Sequence, residues 1–190
     1  MSGRTAITLG TAVAKRTLTD IHGAAVPIPE PGRLVHLQLR RFAGCPVCNL
    51  HLRSVVGRHA EIEAAGVREV VVFHSTADLL REHAGDLPFA VVADPDKRLY
   101  AEFGVESARR AILHPRVWAT IVRAVLRSLW GVLRHRRPMP ALFPEGGRFG
   151  LPGDFLIDED GRVRAYKYGE HAYDQWSVDE LLDLARKEGR

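Results

Sequence analysis

The sequence predicts an α/β fold: one central mixed sheet flanked by helices, with an N-terminal hairpin before it and a basic amphipathic helix inserted into it. Three observations predict it. Short β-branched runs such as Val67-Arg68-Glu69-Val70-Val71-Val72-Phe73 alternate with segments of helical period, which is the pattern of βαβ units and a largely parallel sheet. The turn Glu159-Asp160-Gly161 between two strand-like runs adds an antiparallel hairpin near the end. A chain of 190 residues with 46% hydrophobic residues can bury one sizeable core, so residues 1–190 are read as one domain, with 106–150 as a helical insertion.

Residues 1–33 contain Val26-Pro27-Ile28-Pro29-Glu30-Pro31; closely spaced prolines stop helices and remove ladder donors, which suits a small edge hairpin. Leu34 to Arg40 alternates apolar and polar residues in its second half and reads as a strand. From Pro46 to about Ala65, Val47, Leu50, Val55 and Ile62 recur at helical intervals, with Pro46 in a first turn and Gly66 as a stop. Val67–Phe73 is a buried parallel strand. Ser75 or Thr76 can cap a helix running to about Gly85, Phe89–Ala93 forms the next strand, and Asp94-Pro95-Asp96 opens a helix through Tyr100 and Phe103.

Between Pro115 and Arg134 the apolar residues Val117, Trp118, Ile121, Val122, Val125, Leu126, Leu129, Trp130 and Leu133 form one helix face. Eight arginines and no acid lie between Ser107 and Pro140, so a net charge of +4 hides a segment of about +8. The plain expectation for this helix is that its apolar face packs on its own domain and its arginines are solvated. It could instead dock a partner, meet a membrane surface peripherally or form a homodimer face. A basic stripe without a recognition motif predicts no specific nucleic-acid partner. Phe155–Asp158 and Arg162–Tyr168 flank the hairpin turn, and Ser177-Val178-Asp179-Glu180 is a capping box before a C-terminal helix. No run of about 20 uncharged apolar residues appears, and the basic start has no apolar run behind it, so the expected location is cytoplasmic.

The composition holds two cysteines, Cys45 and Cys48, in the segment Cys45-Pro46-Val47-Cys48. A single close pair points to catalysis or metal rather than a secreted disulfide framework. The pair sits where a strand hands over to a helix. There Cys45 would meet the unpaired N–H groups and positive end of the helix, which lower a thiol pKa. Cys48, one turn on and less exposed, would resolve the mixed disulfide that Cys45 forms. A structural zinc site needs about four ligands; His51 and a distant His74 or His171 would have to complete it, so no metal and no cofactor is expected. His51 and His74 are also candidates for proton transfer at the predicted active-site end.

Four stretches carry a family resemblance: Leu37–Cys48, Leu87–Asp96, Tyr100–Val105 and Gly150–Gly161. In their order they resemble the peroxiredoxin-like proteins of the alkyl hydroperoxide reductase and thiol-specific antioxidant (AhpC/TSA) type, a CxxC-containing branch of the thioredoxin-like superfamily. The resemblance implies a thioredoxin-like fold and a thiol-dependent oxidoreductase that takes a peroxide or disulfide substrate and an external dithiol reductant of thioredoxin or glutathione type. It implies that Pro152 occupies the superfamily's cis-proline position facing the cysteines. It also implies a thiolate-stabilising arginine, for which Arg40, Arg41 and Arg148 all qualify. One departure stands out: the family's proline and threonine, seven and three residues before the reactive cysteine, are Gln38 and Phe42 here, which favours disulfide exchange over efficient peroxide reduction. The competing reading is a redox-silent thioredoxin-like module that acts through the arginine-rich helix.

Overall fold

The computed structural model describes residues 7–105 and 150–188, together with Val122 and Leu126. The basic helix expected between Pro115 and Arg134, and the packing, membrane and dimer roles considered for it, lie outside the described residues apart from those two helical positions.

A hairpin of β1 (Arg16–Thr19) and β2 (Ala25–Ile28) opens the described chain, as the proline-rich N-terminal stretch predicts. The five-stranded sheet follows, with β3 (Leu34–Leu39), β4 (Val67–Phe73), β5 (Ala90–Ala93), β6 (Gly153–Ile157) and β7 (Val163–Tyr168). Their spatial order is β5-β4-β3-β6-β7. The first three are parallel to one another, and β6 and β7 are antiparallel. The sheet is therefore mixed because a hairpin is added to a βαβ core.

Where one helix is expected over 46–65 there are two, α1 (Pro46–Gly57) and α2 (His59–Ala64). Arg58 between them leaves helical geometry, with φ −125° and ψ 20°. Gly57 weakens the helix interior at this point, and the Arg58 guanidinium ties Glu61 to Asp179. The remaining helices are α3 (Ala77–Ala84), α4 (Arg98–Glu102) and α5 (Val178–Glu188). The capping box before α5 is present: Glu180 N–H donates to Ser177 Oγ at 3.2 Å, and Ser177 N–H donates to Glu180 Oε2 at 2.7 Å.

The side chains of β3 divide between the two faces of the sheet. Val35, Leu37 and Leu39 pack with Val70, Val72, Phe155 and Ile157, covered by Val26, Ile28, Leu99 and Phe103. The alternate residues His36, Gln38 and Arg40 are equally buried, at 1% exposure or less. They lie on the face that carries α1 and α5, where His36 stacks on Trp176 and Arg40 meets His51. The alternation that predicts the strand does not leave its polar side in water. No described helix is long and apolar enough to cross a membrane.

Candidate active site

The two cysteines sit at the carboxyl end of β3, where the parallel strands stop and α1 begins. Cys45 is the N-cap of α1, with φ −56° and ψ 115°, and Pro46 is its first helical residue. This follows from the local sequence: Pro46 is preset for a first turn and has no N–H to leave unpaired. Gly44 supplies the sharp entry with φ +73°, and a Cβ there would stand 3.0 Å from the His83 ring. Only glycine satisfies both conditions.

At this N-cap, Cys48 N–H donates to Cys45 Sγ at 3.5 Å, and Arg41 Nη1 donates to the same sulfur at 3.6 Å. The cysteines are not joined by a disulfide. Burial alone would push the Cys45 thiol up. The Cys48 thiol, the Arg41 guanidinium and the Cys48 and Val47 amides outweigh burial and bring it from 9.0 down to about 6. Burial and the adjacent Cys45 push the Cys48 thiol well above its ordinary value. The surroundings thus favour the anion at Cys45 and the protonated thiol at Cys48. The expected difference in exposure is absent, because both residues are 1% exposed; electrostatics distinguishes them.

Of the three candidate arginines, Arg41 meets the sulfur. Its guanidinium also lies over the Phe42 ring, 5.3 Å from the centroid. Arg40 turns to the opposite side of the chain and donates to Asp154 and to Gln38, each at 2.6 Å. Arg148 lies outside the described residues.

Pro152 requires a correction. The Leu151–Pro152 bond is not cis; the cis peptide among the described residues is Ile28–Pro29. The trans form is intrinsically the lower in energy, and Pro152 is fixed from its far side. Its carbonyl accepts from Gly169 N–H at 2.9 Å, and its ring fills the space where a Gly169 side chain would be. These contacts start β6 in register, with Gly153 opposite Leu39, without a cis turn.

His51 is buried and close to Arg40. Burial first, and then the Arg40 charge, depress it to about 3, so at neutral pH it is an uncharged acceptor for Arg40 and a poor base. His74 is buried between Phe42 and Tyr100, with ring centroids at 6.4 and 5.7 Å. Among the described residues, no group of three or more histidines, cysteines, aspartates and glutamates is placed to hold a metal ion.

Sequence reasoning missed the charged network beneath α1. His36 Nδ1 lies 2.9 Å from Glu69 Oε2 and His36 Nε2 lies 3.1 Å from Asp154 Oδ1, while Gln38 donates to Glu69. Burial would lower the His36 pKa, but Glu69 and Asp154 outweigh it and raise it to about 9. Burial would raise the Asp154 carboxyl, but Arg40 and His36 hold it well below the carboxylate range. The polar residues of β3 are the only sequence signal of this network, and they do not name the partners that β4 and β6 bring.

With this geometry established, comparison with known proteins gives a consistent picture. The family model described as AhpC/TSA antioxidant enzyme matches residues 55–171, a stretch that starts after both cysteines. No curated protein matches the chain. Among solved structures, peroxidoxin BcpB from Mycobacterium tuberculosis is similar with a TM-score of 0.66 at 17% identity, covering 95% of this chain and 97% of its own. A candidate thiol:disulfide interchange protein DsbE from Chlorobium tepidum has a TM-score of 0.58 at 18% identity, over 95% and 99% of the two chains. A peroxiredoxin-like protein from Aquifex aeolicus has a TM-score of 0.63 at 13% identity, over 96% and 88%. At these identities the likeness is one of fold, and that fold is thioredoxin-like.

Proposed function

The chain belongs to the AhpC/TSA antioxidant enzyme family, and from that premise we propose that it is a thiol–disulfide oxidoreductase in which Cys45 attacks and Cys48 resolves. One observation carries this reading: the Cys45 sulfur is the N-cap acceptor of α1 and also accepts from Arg41, with the proton-bearing Cys48 one turn away. A thiolate is the attacking species, and the reaction proceeds at the sulfur whose anion is stabilised.

With a disulfide substrate, the Cys45 thiolate forms a bond to one substrate sulfur and the other leaves as a thiolate. Cys48, deprotonated as it attacks, then displaces the bound half from Cys45. The products are a Cys45–Cys48 disulfide and a reduced substrate dithiol. An external donor of the kind expected in the cytoplasm, one thioredoxin-type dithiol or two glutathione thiols, reduces the pair and is itself oxidised to a disulfide. With a peroxide, Cys45 would be oxidised to a sulfenic acid with release of water or an alcohol, and Cys48 would condense with it, releasing water. Phe42, whose ring carries no hydroxyl to orient a peroxide, favours the exchange reaction.

Trapping tests the reading. Cys48→Ser is expected to accumulate a mixed disulfide between Cys45 and the substrate, seen as a mass adduct on the Cys45 peptide. Cys45→Ser should form none. Mild oxidation of the wild type should remove two hydrogens in mass, reversibly. Thiols that remain free under every mild oxidant would instead support the redox-silent module.

A further inference from the structure

The turn between the end of β3 and the start of α1, residues 40–45, delivers both the Cys45 sulfur and the Arg41 guanidinium that donates to it. Its backbone is tied at each step. Arg40 N–H donates to Val72 O at 2.8 Å, His74 N–H to Arg41 O at 3.1 Å, and Cys45 N–H to Phe42 O at 3.2 Å. Two further ties come from side chains. Ser75 Oγ accepts from Ala43 N–H at 2.9 Å, and the Tyr100 hydroxyl meets Arg40 O while also lying 2.9 Å from Val72 O. Both residues are buried, at 3% and 5% exposure. Ser75 follows β4 and Tyr100 belongs to α4, so neither is near the cysteine motif in sequence.

We propose that Ser75 and Tyr100 are positioning residues for the Cys45 nucleophile, their hydroxyls clamping the 40–45 turn so that Arg41 stays against the sulfur. The inference rests on the reading of Cys45 as the attacking thiolate and extends it to residues outside the motif. The Tyr100 hydroxyl bridges Arg40 O, one residue past the end of β3, and Val72 O near the end of β4, and so holds the point where the chain leaves the sheet. Ser75 holds the turn two residues before the sulfur. Without its hydroxyl, Ala43 N–H is buried without that acceptor, and the backbone has to shift to find another partner. The attraction of Arg41 for the thiolate falls as their separation grows, so a loosened turn weakens it even though Arg41 is still present.

The test is the pH dependence of iodoacetamide alkylation of Cys45 in the reduced full-length protein, read from the Cys45 peptide by mass spectrometry. Circular dichroism checks that each variant folds. The wild-type midpoint is expected near 6. Ser75→Ala and Tyr100→Phe should each raise it by about half to one unit, a loss of about two- to fivefold in thiolate at pH 6, while Ser75→Thr retains the hydroxyl and the wild-type midpoint. In an Arg41→Gln background, neither Ser75→Ala nor Tyr100→Phe should add a further shift. Unchanged midpoints in the two single variants overturn the proposal, as do shifts that persist without Arg41. Either variant suffices, so Ser75→Ala decides if Tyr100→Phe does not fold. A wild-type midpoint near 9 is a different failure: it removes Cys45 as the nucleophile, and the clamp with it.

Discussion

Arg41 is the residue on which the chemistry of the cysteine pair turns, because among the described residues it is the full charge that donates to the Cys45 sulfur. The helix terminus supplies only partial charges, from the amides of Val47 and Cys48. Arg41→Gln keeps much of the side chain's length and removes the charge, and it is expected to raise the alkylation midpoint of Cys45 by about one unit, a tenfold loss of thiolate below that midpoint. An unchanged midpoint would mean that the amides and the Cys48 thiol suffice. The cysteines and Pro46 are legible because their roles are local: a strand, a glycine, a cysteine and a first-turn proline follow one another directly. The choice of Arg41 over Arg40 is not legible. The two are adjacent and point oppositely from the end of β3, and only the position of Asp154 on β6 shows which one is drawn away into the sheet face. Pro152 shows the converse, a conformation inferred from likeness that the surrounding contacts do not require.

At the scale of elements, the same distinction separates the two expected helix caps. The α5 cap is a reciprocal pair between Ser177 and Glu180, three residues apart, and such a pair can be read from four letters. Ser177→Ala is expected to lower the unfolding free energy by about 1 kcal/mol, measurable as a lower urea midpoint with an unchanged slope. The α3 cap differs. Thr76 occupies the N-cap position but makes no side-chain capping bond, so Thr76→Ala should cost much less than Ser177→Ala. Ser75, the other capping candidate, gives its oxygen to Ala43, 32 residues earlier in the chain. No local pattern encodes a bond of that range. For β3, alternation correctly predicts a strand, while the burial of its polar face depends on α1 and α5 lying across it and on β4 and β6 bringing opposite charges.

For the whole molecule, the thiol pair and the buried network share one face of the sheet, and one member of each, Cys45 and His36, titrates between pH 6 and 9, with opposite consequences for stability. His36 is raised from 6.5 to about 9; it stabilises the fold fully below 6.5, and that contribution is lost as pH rises to 9. Cys45 is lowered from 9.0 to about 6; its contribution is fully present above 9 and is lost as pH falls through 6. Each is worth on the order of 3 kcal/mol for a group this deeply buried. Cys48, raised above its ordinary value, begins to count against the fold only at the alkaline end of this range. In the reduced wild type the two contributions therefore largely offset one another from pH 6.5 to 9. Cys45→Ser removes one of them and leaves the loss from His36 uncompensated. Urea unfolding of the reduced proteins at pH 6.5, 7.5 and 9 should show the Cys45→Ser variant losing on the order of 3 kcal/mol relative to wild type across the series. Titrating groups away from Cys45 are common to both proteins and cancel in the difference, and Cys48, whose thiol Cys45 shifts, counts only near pH 9, so parallel curves from pH 6.5 to 7.5 would mean that the folded chain does not hold Cys45 as an anion.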